Sequence, residues 1–149
     1  MSEPVAAVSD PAGLISGSRP VSQRPNYDGV RFSAVQPGPE HAIGHYHQQG
    51  DLITVEIGDG NVRAGRLVGT VDSAGVIEAA YCMVLAGDEV IAGRCQSTPS
   101  LLPDGRLLLT EQWQRIDGSA GTSYIASLAP LRAAGTAEPG ADRLSEGVA

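Results

Sequence analysis

Eight short runs with a two-residue period, separated by seven turns, constrain this chain more than any other feature. The runs are Val30–Gln36, Ala42–Gln48, Asp51–Ile57, Asn61–Val71, Val76–Leu85, Glu89–Ser97, Arg106–Arg115 and Thr122–Leu128. Between them lie Pro37-Gly38-Pro39, Gln49-Gly50, Gly58-Asp59-Gly60, Asp72–Gly75, Ala86-Gly87-Asp88, Pro103-Asp104-Gly105 and Asp117–Gly121. Gly and Asp-Gly supply positive φ at tight turns, and Pro ends a ladder because it lacks an N–H. No helical period of useful length interrupts the series. Short antiparallel strands joined by hairpins throughout predict an all-β fold, a roughly eight-stranded antiparallel up-and-down barrel, in preference to a sandwich.

Successive side chains on a strand point to opposite faces, so each run proposes its own inner face. In Val76–Leu85, Ile77, Ala79, Tyr81, Met83 and Leu85 oppose Glu78, Ala80 and Cys82. In Glu89–Ser97, Ile91, Gly93, Cys95 and Ser97 oppose Arg94 and Gln96. In Asp51–Ile57, Ile53, Val55 and Ile57 oppose Thr54 and Glu56. The apolar sets should face the single interior of a small barrel. The run Ala42–Gln48 stays ambiguous, since either Gly44, Tyr46 and Gln48 or His45 and His47 could point inward.

At 149 residues there is room for one domain with a moderate core. The barrel is expected over 27–130, with a flexible N-terminal arm over 1–26 and a flexible C-terminal tail over 131–149, both without sustained period. A formal charge of −7 argues against a nucleic-acid partner or an anionic membrane surface. No apolar run approaches the roughly 18 residues of a membrane span, and no basic-then-apolar secretory leader opens the chain. Cys82 and Cys95 fall on opposite faces, which favours reduced thiols and a cytoplasmic protein over a disulfide.

Leu107–Arg115 carries the most informative chemistry. Leu107, Leu109, Glu111, Trp113 and Arg115 share one parity, against the uncharged polar Thr110, Gln112 and Gln114. A carboxylate on the apolar face, beside the only tryptophan, is costly to bury unless it is paired, protonated or used. One reading makes Glu111 a general acid or base whose pKa is raised by desolvation, assisted by Tyr46 and Tyr81. The other makes it a structural partner, ion-paired with Arg115 or hydrogen-bonded inside the lumen. The lumenal residues expected to touch a ligand are Phe32, Gln48, Met83, Cys95, Ser97, Trp113 and Ser123. His41, His45 and His47 share parity, but with His45 and His47 facing water no metal site is expected. Neither a thiolate at Cys95 nor a Ser-His-Asp arrangement around Ser123 is indicated.

Several blocks occur in a characteristic order. They are His45-Tyr46-His47-Gln48, Gly58-Asp59-Gly60, Gly65-Arg66-Leu67, Gly93-Arg94-Cys95-Gln96-Ser97-Thr98-Pro99, Pro103-Asp104-Gly105-Arg106-Leu107, Glu111-Gln112-Trp113 and Gly121-Thr122-Ser123. Over about Tyr27 to Leu128 the chain resembles a family of small bacterial barrel proteins with the pattern F-H-Y-H-Q, G-x-C-x-S-x-P, P-D-G-R-L, E-x-W-x-W and G-x-S. The resemblance implies an avidin-like or calycin-like barrel. Many members carry the label N-acetylglutamate synthase, which is not carried over. An acyl-CoA pyrophosphate is held on a Gly-rich strand-to-helix turn, and Arg66–Val71 lies inside a strand with no helix after it. The chain also departs from the family. Gly44 stands for Phe, Ala80 and Met83 stand for Arg and His, Arg115 stands for the second aromatic, and Ala126 and Ser127 stand for an acidic pair. Relative to the family, these departures imply a roomier and more apolar lumen.

The functional expectation is a barrel that binds a small hydrophobic or aromatic metabolite. It would assist cyclisation, dehydration or isomerisation by acid–base chemistry, as a secondary-metabolite enzyme without cofactor. The alternative is a non-catalytic carrier or sensor for the same kind of ligand. A homodimer is left open.

Overall fold

The computed structural model describes residue 10 and residues 13–131. Nine strands form one sheet: β1 Arg19–Pro20, β2 Arg31–Ala34, β3 Ile43–Gln49, β4 Leu52–Gly58, β5 Val62–Val71, β6 Ile77–Leu85, β7 Val90–Leu101, β8 Leu107–Arg115 and β9 Ala120–Ser127. From β2 to β9 each strand pairs antiparallel with its successor in the chain, and β9 returns to pair with β2. The sheet therefore closes into the eight-stranded up-and-down barrel that the turn spacing predicts. Closure pairs every strand from β2 to β9 on both sides over at least part of its length, which leaves little open sheet edge. Among the described residues no helix is long and apolar enough to cross a membrane.

The turns work as their residues require. In the β4–β5 hairpin both Asp59 (φ 66°) and Gly60 (φ 56°) are left-handed, the conformation that matches the twist of paired strands. A side chain at Gly60 would also strike the His41 carbonyl at 2.6 Å, so this turn tolerates little else.

The two ends of the barrel differ. At the end where β4, β6 and β8 begin, Ile53, Val71, Ile77, Leu107 and Leu109 fill the interior and are almost wholly buried. Tyr27 closes this end from below. Its ring packs against Phe32 and Tyr46 at 6.3 and 6.2 Å, and its hydroxyl donates to the Gly75 carbonyl at 2.6 Å. Each buried Leu or Ile here stabilises the fold by roughly 1.5–3 kcal/mol. At the other end the inward side chains, among them Ile57, Tyr81, Met83 and Trp113, line the interior without filling it.

Part of the segment expected as a flexible arm, residues 13–26, is described. Residues 13–26 run along the barrel. Arg19 and Pro20 pair with Leu101 and Ser100 of β7, beyond the point where β6 stops at Ile77↔Ser97. Leu14 and Ile15 cover a second apolar cluster of Val35, Leu102, Leu108 and Ala126 on the outside of β8 and β9. The physical reason is Leu108. It lies on the outer face, is 1% exposed, and needs a cover that the barrel alone does not supply. At the C-terminal end Leu131 packs against the main core, and the rest of the expected tail lies outside the described residues.

Candidate functional site

The open half encloses a cavity of about 680 Å³, within the roughly 300–1,000 Å³ typical of small-molecule sites. Register places its walls. One row across the strands runs Tyr46, Val55, Leu67, Tyr81, Gly93 and Arg115, and a second runs Ser97, Glu111 and Ser123. Ile57, Met83 and Ile91 line the cavity nearer its mouth. The β2–β9 ladder stops at Ala34↔Ile125, because β2 has only four residues. Thr122, Ser123 and Tyr124 thus have no β2 partner, and together with Ala34–Gln36 they border a notch where the cavity reaches the side of the barrel.

Glu111 stands in the middle of this space. Ser97 is its partner on β7 and Ser123 its partner on β9. Desolvation pushes the Glu111 pKa up to about 7, and the neighbouring Ser97 hydroxyl opposes that shift as the smaller influence. By surface exposure Glu111 is only partly buried. Its residual surface faces the cavity. Among the described residues no ion pair reaches it. The expected pairing with Arg115 is absent, because four residues along a strand separate two side chains by about 13 Å.

Trp113 is held in place by the two residues of the G-x-S block. Gly121 lies opposite it on β9, and a Cβ there would come within 2.7 Å of the indole, so only glycine lets the ring lie against the wall. The indole Nε1 donates to Ser123 Oγ at 2.9 Å. The Arg115 guanidinium sits over the same ring, 5.2 Å from its centroid, a cation–π arrangement. It also stands beside the Tyr81 hydroxyl and opposes the upward pKa shift that burial gives that phenol. Arg115 Nε is buried without a hydrogen-bond partner, an unusual state for a guanidinium.

The remaining groups are kept neutral. Burial pushes the Cys95 thiol up to about 12, and Glu111 adds to the shift, so Cys95 is no thiolate nucleophile. Burial, with Glu111 next, holds the Tyr46 phenol well above its ordinary value. Cys82 and Cys95 are both free thiols, one exposed and one buried.

The structure therefore gathers Glu111, Tyr46, Tyr81, Phe32, Met83, Cys95, Trp113 and Ser123 around one cavity. Two expected ligand contacts fall elsewhere. Gln48 shares parity with Tyr46 but sits at the closed end, where its Oε1 accepts from Tyr27 N and its Nε2 donates to Gly50 O, both at 2.9 Å. Ser97 is 1% exposed and lies behind Glu111, off the cavity wall. His45 and His47 are exposed on the outer face, His47 lying 3.5 Å from Glu56. Several wall residues fall outside the expected ligand contacts although the sequence carries a signal for them, Ile57, Ile91 and Arg115 among them. Ile57 and Ile91 have inward parity, and Arg115 shares the face of Glu111.

A family profile described as avidin-like protein matches residues 25–128. The chain belongs to the avidin-like protein family. Barrels of this family typically bind small ligands, in keeping with a lumen filled at one end and open at the other. No curated protein and no solved structure matches the chain.

Proposed function

We propose that the open half of this avidin-like barrel binds a small molecule with an apolar aromatic or alicyclic body, and that holding this molecule is the protein's primary activity. One observation carries the reading. The same interior that is densely packed around Leu109 and Ile53 is left unfilled around Leu67, Ile91 and Trp113, although larger side chains could have closed it. Apolar walls with a few aimed polar groups are the usual make-up of a small-molecule site. Gly44 contributes directly to the space. A Cβ there meets Tyr46 and Val55 at 3.2 Å, so a large side chain would have to project into the cavity.

Trp113 is the only tryptophan, so its emission reports on the lumen without mixing. Titration with the neutral apolar dye N-phenyl-1-naphthylamine should quench it saturably at one dye per chain. Gly44→Phe should weaken that binding tenfold or more while the protein stays folded. A quench that does not saturate, or one that Gly44→Phe leaves unchanged, contradicts a lumenal site.

Acid–base catalysis is a second reading, favoured by one observation: the Glu111 carboxyl, its pKa near 7, stands in the cavity with no cation paired to it among the described residues. Such a group can give or take a proton near neutral pH. On this reading Glu111→Gln lowers turnover of a lumen-bound substrate by about 10²-fold or more while binding persists. Unchanged turnover in that variant excludes the role.

A further inference from the structure

The wall around Arg115 has a property that binding of an apolar body does not use. Among the described residues the guanidinium has no carboxylate within ion-pairing distance, and its Nε is buried and unpartnered. Asp117, two residues on in the β8–β9 turn, senses the charge only as a minor influence and spends its own carboxylate on Ser119. Trp113 and Tyr81 flank Arg115, one offering a ring face and the other a hydroxyl. All three side chains border the cavity. Arginine presents a planar fork of donors that suits a carboxylate or sulfonate, and it keeps its charge at any pH the protein meets. A cation held against a cavity wall, with no counter-ion among the described residues, calls for an anion from outside.

We propose that the cavity takes a singly anionic amphiphile, a small organic acid whose carboxylate or similar oxyanion sits on Arg115 near the mouth while its apolar body extends inward toward Leu67 and Tyr46. The inference rests on the reading of the lumen as a binding site and adds the charge and orientation of the ligand. Position supports the orientation. Arg115 ends β8 beside the β8–β9 turn, whereas Glu111 lies two inward positions deeper, beyond Trp113. Only the end of a ligand remote from its charged group can approach that carboxyl without repulsion.

The test compares two dyes with similar aromatic bodies on the full chain: 8-anilinonaphthalene-1-sulfonate, an anion, and N-phenyl-1-naphthylamine, which is neutral. In the native protein the anion should bind at least tenfold more tightly, and rising salt should erode that advantage. Arg115→Gln should abolish the preference while leaving the neutral dye within about twofold of its native affinity. Arg115→Lys should keep part of the preference. Equal affinity of the two dyes in the native protein overturns the proposal without any variant, even if Arg115→Gln fails to fold. Equal weakening of both dyes by Arg115→Gln overturns it as well, since the residue would then only support Trp113. Failure of both dyes to bind would sink the underlying reading of the lumen, an outcome distinct from binding without preference for charge.

Discussion

The two ends of this barrel are built from the same strands and reach opposite states. At the closed end the inward positions of β4 to β8 are Ile53, Val71, Ile77, Leu107 and Leu109, and Tyr27 seals them from below. At the open end the same faces carry Ile57, Tyr81, Met83, Glu111 and Arg115 around a cavity of about 680 Å³. Stability is concentrated where side chains interdigitate, and a site for a ligand exists where they do not. Each strand contributes to both, so changing parity would destroy both, while changing depth along a strand separates them.

The largest expected effect follows directly. Leu109→Ala, at a position with no exposed surface, should cost about 2–5 kcal/mol by leaving a new cavity. Met83→Ala borders space that is already empty and should cost clearly less, because it adds little new cavity. Urea unfolding of both variants checks the contrast. Equal losses would mean that the open end is packed in solution.

How far the sequence reaches follows the same division. Parity names faces, and does so for β6, β7 and β8, where apolar and polar residues alternate plainly. It leaves β3 open, because Gly44, Tyr46 and Gln48 on one face and His45 and His47 on the other are both half polar. Parity does not name depth. Gln48 lies on the inner face with Tyr46 yet ends up pinning Tyr27, two residues too far along the strand to reach the cavity. The Glu111–Arg115 pair fails on rise per residue, a constraint that a spacing of four along one strand already carries. Leu14, Ile15 and the two-residue β1 are illegible, since two apolar residues among Gly, Ser and Pro carry no period, and their role depends on Leu108 across the fold.

A smaller effect is expected from the carboxyl between the two ends. The folded-state pKa of Glu111 is raised from 4.5 to about 7. Between these values the folded protein holds a proton that the unfolded chain releases, so this group's contribution is fully present below pH 4.5 and is lost as pH rises through 7. The loss is at most about 3 kcal/mol and is reduced where the cavity admits water. Glu111→Gln should remove this part of the pH dependence and leave a protein more stable than the native one at pH 8. A variant that is less stable at every pH would make the carboxylate a structural partner.

The most direct measurement is an infrared titration of the Glu111 carboxyl, assigned by difference from Glu111→Gln, with and without saturating N-phenyl-1-naphthylamine. A desolvated carboxyl inside a ligand cavity should titrate with a midpoint near 7 in the free protein. The midpoint should move higher when the dye expels water from around it. A midpoint at the ordinary carboxylate value, unmoved by the dye, would show that Glu111 is solvated and that the open end of the barrel is no binding site.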